Sequence, residues 1–192
     1  LKFFRTPAGN VAVFNGSRQE TKFLIDKILN QADGKARGRG PMSLAKTGYE
    51  KLVCQGITVF VDTHYNSKKK PSKAPHAMEI NIGKTRLLGS CGTIYKKDKK
   101  WKDSLLSASA HSALILENTN ALYCDELTDF TSNKRYQKNG SEIVSLKHDG
   151  YRKKFSAICA RTIEVNRSGR NIAILDHISS DKLLKFDIRI HL

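Results

Sequence analysis

The chain has 192 residues, which is enough for one domain with a sizeable core, and 39% of them are hydrophobic. Its formal net charge is +16, from 34 Lys and Arg against 18 Asp and Glu. A field of this sign attracts polyanions such as nucleic acid, acidic lipid surfaces or acidic polysaccharide. The alternative is a compositional bias that leaves solvated lysines all over the surface. No apolar run is long enough for a transmembrane helix.

One helix is well signalled, near the N-terminus. Ser17 and Glu20 match a Ser-x-x-Glu capping box. The apolar residues that follow at helical spacing are Phe23, Leu24, Ile28 and Leu29. Gly34 is the predicted end of this helix, and the basic, glycine-rich GKARGRGP after it predicts a loop.

The rest of the sequence predicts strands. Two predicted hairpins surround glycines: Gly56 lies between strands 52–55 and 57–62, and Gly83-Lys84 lies between strands 80–82 and 86–88. Three more strands are predicted at 142–148, 157–166 and 171–179. The last two are joined by Arg-Ser-Gly-Arg. Gly83 suits a type II′ turn because glycine readily adopts positive φ. Between these strands, the apolar run 113–116 predicts a buried strand, followed by a polar turn at 118–120.

The last predicted strand alternates in polarity. Its apolar face would carry Leu184, Phe186, Ile188, Ile190 and Leu192, and its polar face Lys185, Asp187, Arg189 and His191. Together the elements predict a mainly β protein, an antiparallel β-sandwich with one short N-terminal helix. Because the chain starts at Leu1 and stops inside a strand pattern, we expect residues 1–192 to be one domain, truncated at both ends, of a longer polypeptide. The lysine runs 68–70 and 96–102 predict exposed loop tips.

The cysteines are widely spaced. They are Cys54, Cys91, Cys124 and Cys159, with no Cys-x-x-Cys pair. This spacing argues against a zinc ribbon or finger. Three disulfide connectivities stay open if the compartment is oxidising, and the sequence does not choose among them.

Several segments in order resemble a known family. They are LKFFRTPAGNVAVFNGS, AMEINIGKTRLLGSCGTIY, LLSASAHSALILENTNA, KHDGYRKKFSAICARTIEV and FDIRIHL. The set is similar to the C-terminal β-sandwich domain of bacterial heparinase II/III-like proteins, a polysaccharide lyase family. The resemblance implies β-elimination of acidic, uronate-containing glycans such as glycosaminoglycans, a periplasmic location, and a helical toroid domain upstream in the same polypeptide that supplies much of the acid and base.

The resemblance also implies a metal. In several members the sandwich carries a zinc site of two His and one Asp, and His111 is at the position of one of these ligands. Cys91 is where those members carry the Asp, and a thiolate also binds zinc. His76 lies near the second histidine, several residues out of register and without the His-x-Asp pattern. Zinc is therefore a candidate cofactor held by His111 and Cys91; the alternative is an unmetallated His111 beside a small buried cysteine.

The predicted catalytic residues are His111, His76 and Arg161. Arg161 shares its strand face with apolar residues, so it needs a partner, either a carboxylate such as Asp149 or Glu79, or an acidic group of the ligand. The predicted substrate-binding residues are His148, Tyr151 and Trp101. Each has a structural alternative. His148 would only flank the Asp-Gly turn, and Tyr151 would stabilise this turn. Trp101 would lie with Tyr95 on a solvated loop.

Three functions compete. The first is the sandwich of a lyase, inactive without its helical domain. The second is a catalytically decayed sandwich that binds acidic polysaccharide, as the altered metal residues suggest. The third is a basic nucleic-acid-binding module, against which stands the lack of a helix-turn-helix, zinc-finger or RNP-like pattern.

Overall fold

A computed structural model describes residues 1–33, 40–63, 73–93, 99–121, 131–166 and 171–192. In these ranges the strands are β1 (Ser43–Leu44), β2 (Tyr49–Cys54), β3 (Ile57–Asp62), β4 (Met78–Ile82), β5 (Thr85–Leu88), β6 (Leu114–Leu116), β7 (Ser132–Lys138), β8 (Ser141–Tyr151), β9 (Ala157–Asn166), β10 (Ile172–Ser179) and β11 (Phe186–Ile188). The helices are α1 (Lys22–Asp33), α2 (Lys99–Leu106) and α3 (Arg152–Phe155). None of the helices within these ranges has the length and apolar character needed to cross a bilayer.

Two antiparallel sheets form the sandwich. One has the order β1-β2-β3-β4-β5 and the other β10-β9-β8-β7. Alternate residues of β2 and β3, including Leu52 and Val59, meet Val144 of β8 and Ile163 of β9 in one apolar core between the sheets. Burial of this core drives the packing of the two sheets. The predicted antiparallel β-sandwich is confirmed.

The predicted hairpins are present. β2 and β3 pair around Gly56, and β4 and β5 pair around Gly83, whose φ of 55° fits the first central position of a type II′ turn. β9 covers the predicted range 157–166, and β10 begins one residue later than predicted. The connection between β9 and β10 lies outside the described residues.

The N-terminal segment covers the outer face of the first sheet. It bends back on itself, with a bridge between Arg5 and Val11. Edge-to-face ring contacts then join Phe3 and Phe4 of this segment to Phe60 and Tyr49 of the sheet. This aromatic layer fixes the segment over β2 and β3.

A third, two-stranded sheet pairs β6 with β11. It is extended by a bridge between Gly89 and His191 and by a bond from the Arg189 N–H to the Ala113 carbonyl, 3.0 Å. The predicted turn after β6 is present, since the Thr119 N–H donates to the Leu116 carbonyl. This small sheet carries the loop on which His111 lies.

The predicted capping box is wrong. Ser17 accepts a hydrogen bond from the Phe14 N–H, and the helix starts at Lys22 with Thr21 accepting from the Leu24 N–H. The buried face of α1 is formed by Ile25 and Leu29, which pack on Val11. Three of the four residues expected on that face are instead exposed: Phe23, Leu24 and Ile28.

Three further expectations are corrected. The Asp149-Gly150 pair does not form a turn: β8 continues through it with a register shift before α3. The described part of the second lysine run belongs to α2, so Trp101 is on a helix and not on a loop tip. The run 68–70 lies outside the described residues. Near the C-terminus only β11 forms a strand, and the residues expected on its buried face, including Phe186 and Ile188, are exposed because no layer within the described residues covers them.

Candidate functional site

His111 lies at the end of a short 3-10 turn, Ala108–Ala110, just before β6. Its side chain is 1% exposed, and Nδ1 is 2.8 Å from the Ser90 hydroxyl, with which it shares a hydrogen bond. Burial lowers the pKa of His111 to about 4, the Asp62 carboxylate opposes that shift, and His191 adds to it. The imidazole is therefore neutral at neutral pH.

The predicted metal-binding residues do not form a three-ligand group. Cys91 is exposed, and its sulfur is 3.6 Å from Nδ1 of His191. His76 lies in a separate cluster with His148. Among the residues that the structure describes, no group of three or more His, Cys, Asp or Glu side chains is arranged to hold a metal ion. The donors in these ranges do not fit the three protein ligands of a catalytic zinc site.

His76, His148 and Tyr151 come together in the core. The rings of His76 and His148 meet edge to face with centroids 4.6 Å apart, and the His148 and Tyr151 centroids are 5.8 Å apart. Nδ1 of His148 accepts the Gly150 N–H at 3.2 Å, so a neutral His148 carries its proton on Nε2. The Tyr151 hydroxyl donates to the Thr119 carbonyl at 3.1 Å. Burial raises the pKa of Tyr151, so the phenol stays protonated.

Arg161 is buried and has a full set of partners. Its Nε and Nη2 donate to the two carboxylate oxygens of Asp176 at 2.6 and 2.7 Å, and Nη1 donates to the His76 carbonyl at 2.9 Å. The sequence predicts Asp149 or Glu79 as the carboxylate partner of Arg161, and this prediction is wrong. The partner is Asp176, because it faces Arg161 directly across the β9–β10 pair. Arg161 therefore ties the second sheet to the backbone of His76.

The sequence did not point to the polar group around Asp62, the carboxylate that acts on the pKa of His111. Asn15 donates to the hydroxyl of Tyr49 and to Asp62, the latter at 3.3 Å. Burial raises the pKa of Tyr49, and the Asp62 carboxylate raises it further. The one available signal was Asp62 itself, a carboxylate at the end of the apolar strand Ile57–Asp62.

The last predicted contact, Trp101, is about half exposed on α2. Tyr95 lies outside the described residues. The predicted site thus divides into a His111–Ser90 pair, a His76–His148–Tyr151 cluster anchored by Arg161, and Trp101 on the surface of α2. The two buried groups hold imidazole rings in fixed orientations, and proton transfer by a histidine depends on such positioning.

Comparisons with solved structures show the fold. A heparinase III structure with methylated lysines superposes with a TM-score of 0.72 at 12% identity, covering 93% of this chain and 30% of that one. The heparan sulfate lyase HepC from Pedobacter heparinus gives a TM-score of 0.68 at 13% identity, covering 94% of this chain and 31% of that one. This chain thus spans less than a third of the length of these two proteins. A comparison with curated proteins finds no match.

A family model matches most of the sequence. The model describes the heparinase II/III-like C-terminal domain, and it covers residues 36–192. The match includes all the strands of both large sheets, β6 and β11, and His111, His76, His148 and Arg161. The chain therefore belongs to the heparinase II/III-like C-terminal family.

Proposed function

We propose that this domain is part of a polysaccharide lyase that cleaves acidic, uronate-containing glycans by β-elimination. The observation that carries the proposal is the family membership over residues 36–192. The high positive charge supports an acidic substrate, because it attracts polyanions over a long range. The upstream helical domain remains part of the proposal, as the source of the catalytic groups that one sandwich does not supply.

β-Elimination needs three things from the protein. The charge on the uronate carboxylate must be neutralised, the weakly acidic C5 proton must be removed, and the leaving oxygen must be protonated. His111 and His76 are the proposed proton-transfer residues. Burial lowers the pKa of His111 to about 4, so the imidazole is neutral at working pH and is a weaker base than an exposed histidine.

Arg161 takes a different role in this proposal from the one suggested by the sequence. Its guanidinium is already bound to Asp176 and to the His76 carbonyl, so it does not neutralise a substrate carboxylate. It acts as a positioning residue, because it fixes the backbone of His76. The His148 ring packs against the ring of His76, and Tyr151 packs against His148 in turn.

One observation favours a second function, a sandwich that binds acidic polysaccharide without cleaving it. His111, His76 and Arg161 are all buried, and none of them lines the cavity between the N-terminal segment, β2 and β3. A base that substrate does not reach transfers no proton. The two functions differ in whether the complete polypeptide turns over substrate.

The experiment uses the full-length polypeptide with heparan sulfate, hyaluronan and alginate, and follows the absorbance of the unsaturated product. We expect turnover, and a loss of about 100-fold or more in His111→Ala, in line with the removal of a proton-transfer group. His177→Ala is the matched control, since His177 is exposed on β10. Binding without turnover on all three glycans would favour the second function, and an unchanged rate in His111→Ala would remove His111 from the mechanism.

The isolated 192-residue chain is expected to show no measurable lyase activity. The part of the chain that the structure describes does not bring a complete acid and base together in one open cleft. Turnover by this chain alone, on the order of 1 per second or faster, would contradict the need for a second domain.

A further inference from the structure

A cavity lies over the outer face of the first sheet, between β2, β3 and the N-terminal segment. Its volume is about 870 Å³, within the range of ligand-binding sites. The charged residues that line it are Lys2, Arg5, Lys22, Lys51, Lys84 and Asp26. None of the predicted site residues of the preceding sections lines it. It is therefore a separate feature of the molecule.

Lys51 is the residue that most needs an anion. It is only 6% exposed, its ammonium donates to the Phe3 carbonyl at 2.8 Å, and it lies 5.1 and 5.6 Å from the ring centres of Phe3 and Phe60. No ion pair among the described residues includes it, and burial lowers its pKa. A buried cation without a counter-charge is costly, whereas aromatic faces and one carbonyl supply only part of the compensation.

The other charges of the cavity do not compensate Lys51. The one carboxylate in the lining, that of Asp26, is engaged in an ion pair with Arg5. The remaining lining charges are those of Lys2, Lys22 and Lys84, all positive. Lys84 projects from the β4–β5 turn and Lys22 from the start of α1, so cations approach the cavity from different elements. Such convergence raises the local concentration of anions.

We propose that this cavity is a binding site for the sulfate or carboxylate groups of an acidic glycan, with Lys51 at its base and Lys22 and Lys84 at its rim. The site goes beyond the proposed lyase reaction, since it holds the polymer away from the histidine clusters. An oxyanion that enters the cavity restores the charge balance of Lys51, and ammonium groups bind sulfate and carboxylate alike as point charges. Binding weakens with salt, because the rim charges are screened over about 10 Å at roughly 0.1 M.

The test measures binding without turnover, so that its failure is distinguishable from failure of the lyase proposal. Heparin and hyaluronan hexasaccharides are titrated calorimetrically into the 192-residue chain at low salt. The first glycan carries sulfates and carboxylates and the second carries carboxylates alone. Binding of both shows that a carboxylate is sufficient, and binding of heparin alone assigns the site to sulfate. Binding of neither overturns the proposal.

Two double variants then locate the site. Lys22→Glu/Lys84→Glu should weaken heparin binding by about tenfold or more. Lys134→Glu/Lys138→Glu removes the same charge from exposed positions of β7, remote in the topology from the cavity, and should weaken it by less than about threefold. Equal weakening in the two variants would show a diffuse charge effect and overturn the site. A single-stranded oligonucleotide is the last probe. If it binds more tightly than heparin, and if its binding is lost only in Lys22→Glu/Lys84→Glu, the cavity is a nucleic-acid site and the proposal is overturned.

Lys51→Met adds a readout that a purely structural lysine would not give. An apolar side chain of similar length removes the buried charge, so the thermal midpoint should stay level or rise while heparin binding falls. A fall in both would show that Lys51 acts in folding, and the Lys22→Glu/Lys84→Glu pair would then decide whether the cavity binds glycan. Unchanged heparin binding in Lys51→Met would overturn the assignment of Lys51 to the base of the site.

Discussion

Replacing Asp176 with alanine should be among the most destabilising single changes in the second sheet. The carboxylate accepts two hydrogen bonds from Arg161 at 2.6 and 2.7 Å, and the side chain of Arg161 is 1% exposed. Removing one member of a buried pair leaves an uncompensated charge and costs about 3–5 kcal/mol. For a domain of about 150–250 residues each kcal/mol moves Tm by about 2–4 °C, so Tm should fall by about 6–20 °C.

The assay is equilibrium urea unfolding, together with a thermal scan of the far-ultraviolet circular dichroism. Asp187→Ala is the matched control, because the Arg189–Asp187 pair is exposed and should contribute less than about 1 kcal/mol. The double variant Arg161→Met/Asp176→Leu replaces the whole pair with apolar groups and should recover much of the lost stability. If Asp176→Ala costs no more than Asp187→Ala, the buried pair is not what holds β9, β10 and the His76 backbone together.

Two further predictions concern titration and thiol reactivity. The pKa of His111 is lowered to about 4 in the folded protein, below the usual value near 6.5, so the unfolded chain takes up the proton first as the pH falls. The contribution of this group to stability is therefore complete above about pH 6.5. It falls by up to about 3 kcal/mol as the pH drops towards 4. His111→Gln should flatten this part of the pH profile of urea unfolding, and parallel profiles would contradict the reasoning. In a Cys124→Ser background, an aromatic disulfide reagent should label exposed Cys91 rapidly and leave buried Cys54 and Cys159 unlabelled, since burial raises the pKa of Cys159 to about 12. Rapid labelling of two or three thiols in the folded protein would show that the core opens.

Local sequence was sufficient for much of the fold. Gly56 and Gly83 mark hairpins because positive φ is accessible to glycine, and the apolar runs beside them have the length of strands. The helix was found from its periodicity but placed with the wrong face, because Ser17 bonds the chain before it and the N-terminal segment buries Ile25. Strand β7 was missed, since its exposed, polar sequence SNKRYQK has no apolar face and depends on pairing with β8.

The site was predicted less well than the fold because its contacts join distant elements. That Arg161 needs a buried partner was clear from its strand face, but identifying Asp176 required the register of β9 and β10. The partner of His111 is Ser90, 21 positions away and just after the end of β5, and no local pattern predicts that pairing. Lys51 is identified only in the structure, because its environment depends on Phe3, 48 positions away in the chain.

β6 cannot pair with β11 until a much later part of the chain has been synthesised. The contacts that close this sheet join distant positions: the N–H of His191 donates to the Ser112 hydroxyl at 3.0 Å across 79 positions. Until then β6, whose three residues are all buried in the folded domain, presents an unpaired apolar edge. Chains that stall before Phe186 are therefore expected to aggregate or to recruit a chaperone, and the loop carrying His111 should be among the last parts of the domain to become protected from hydrogen exchange.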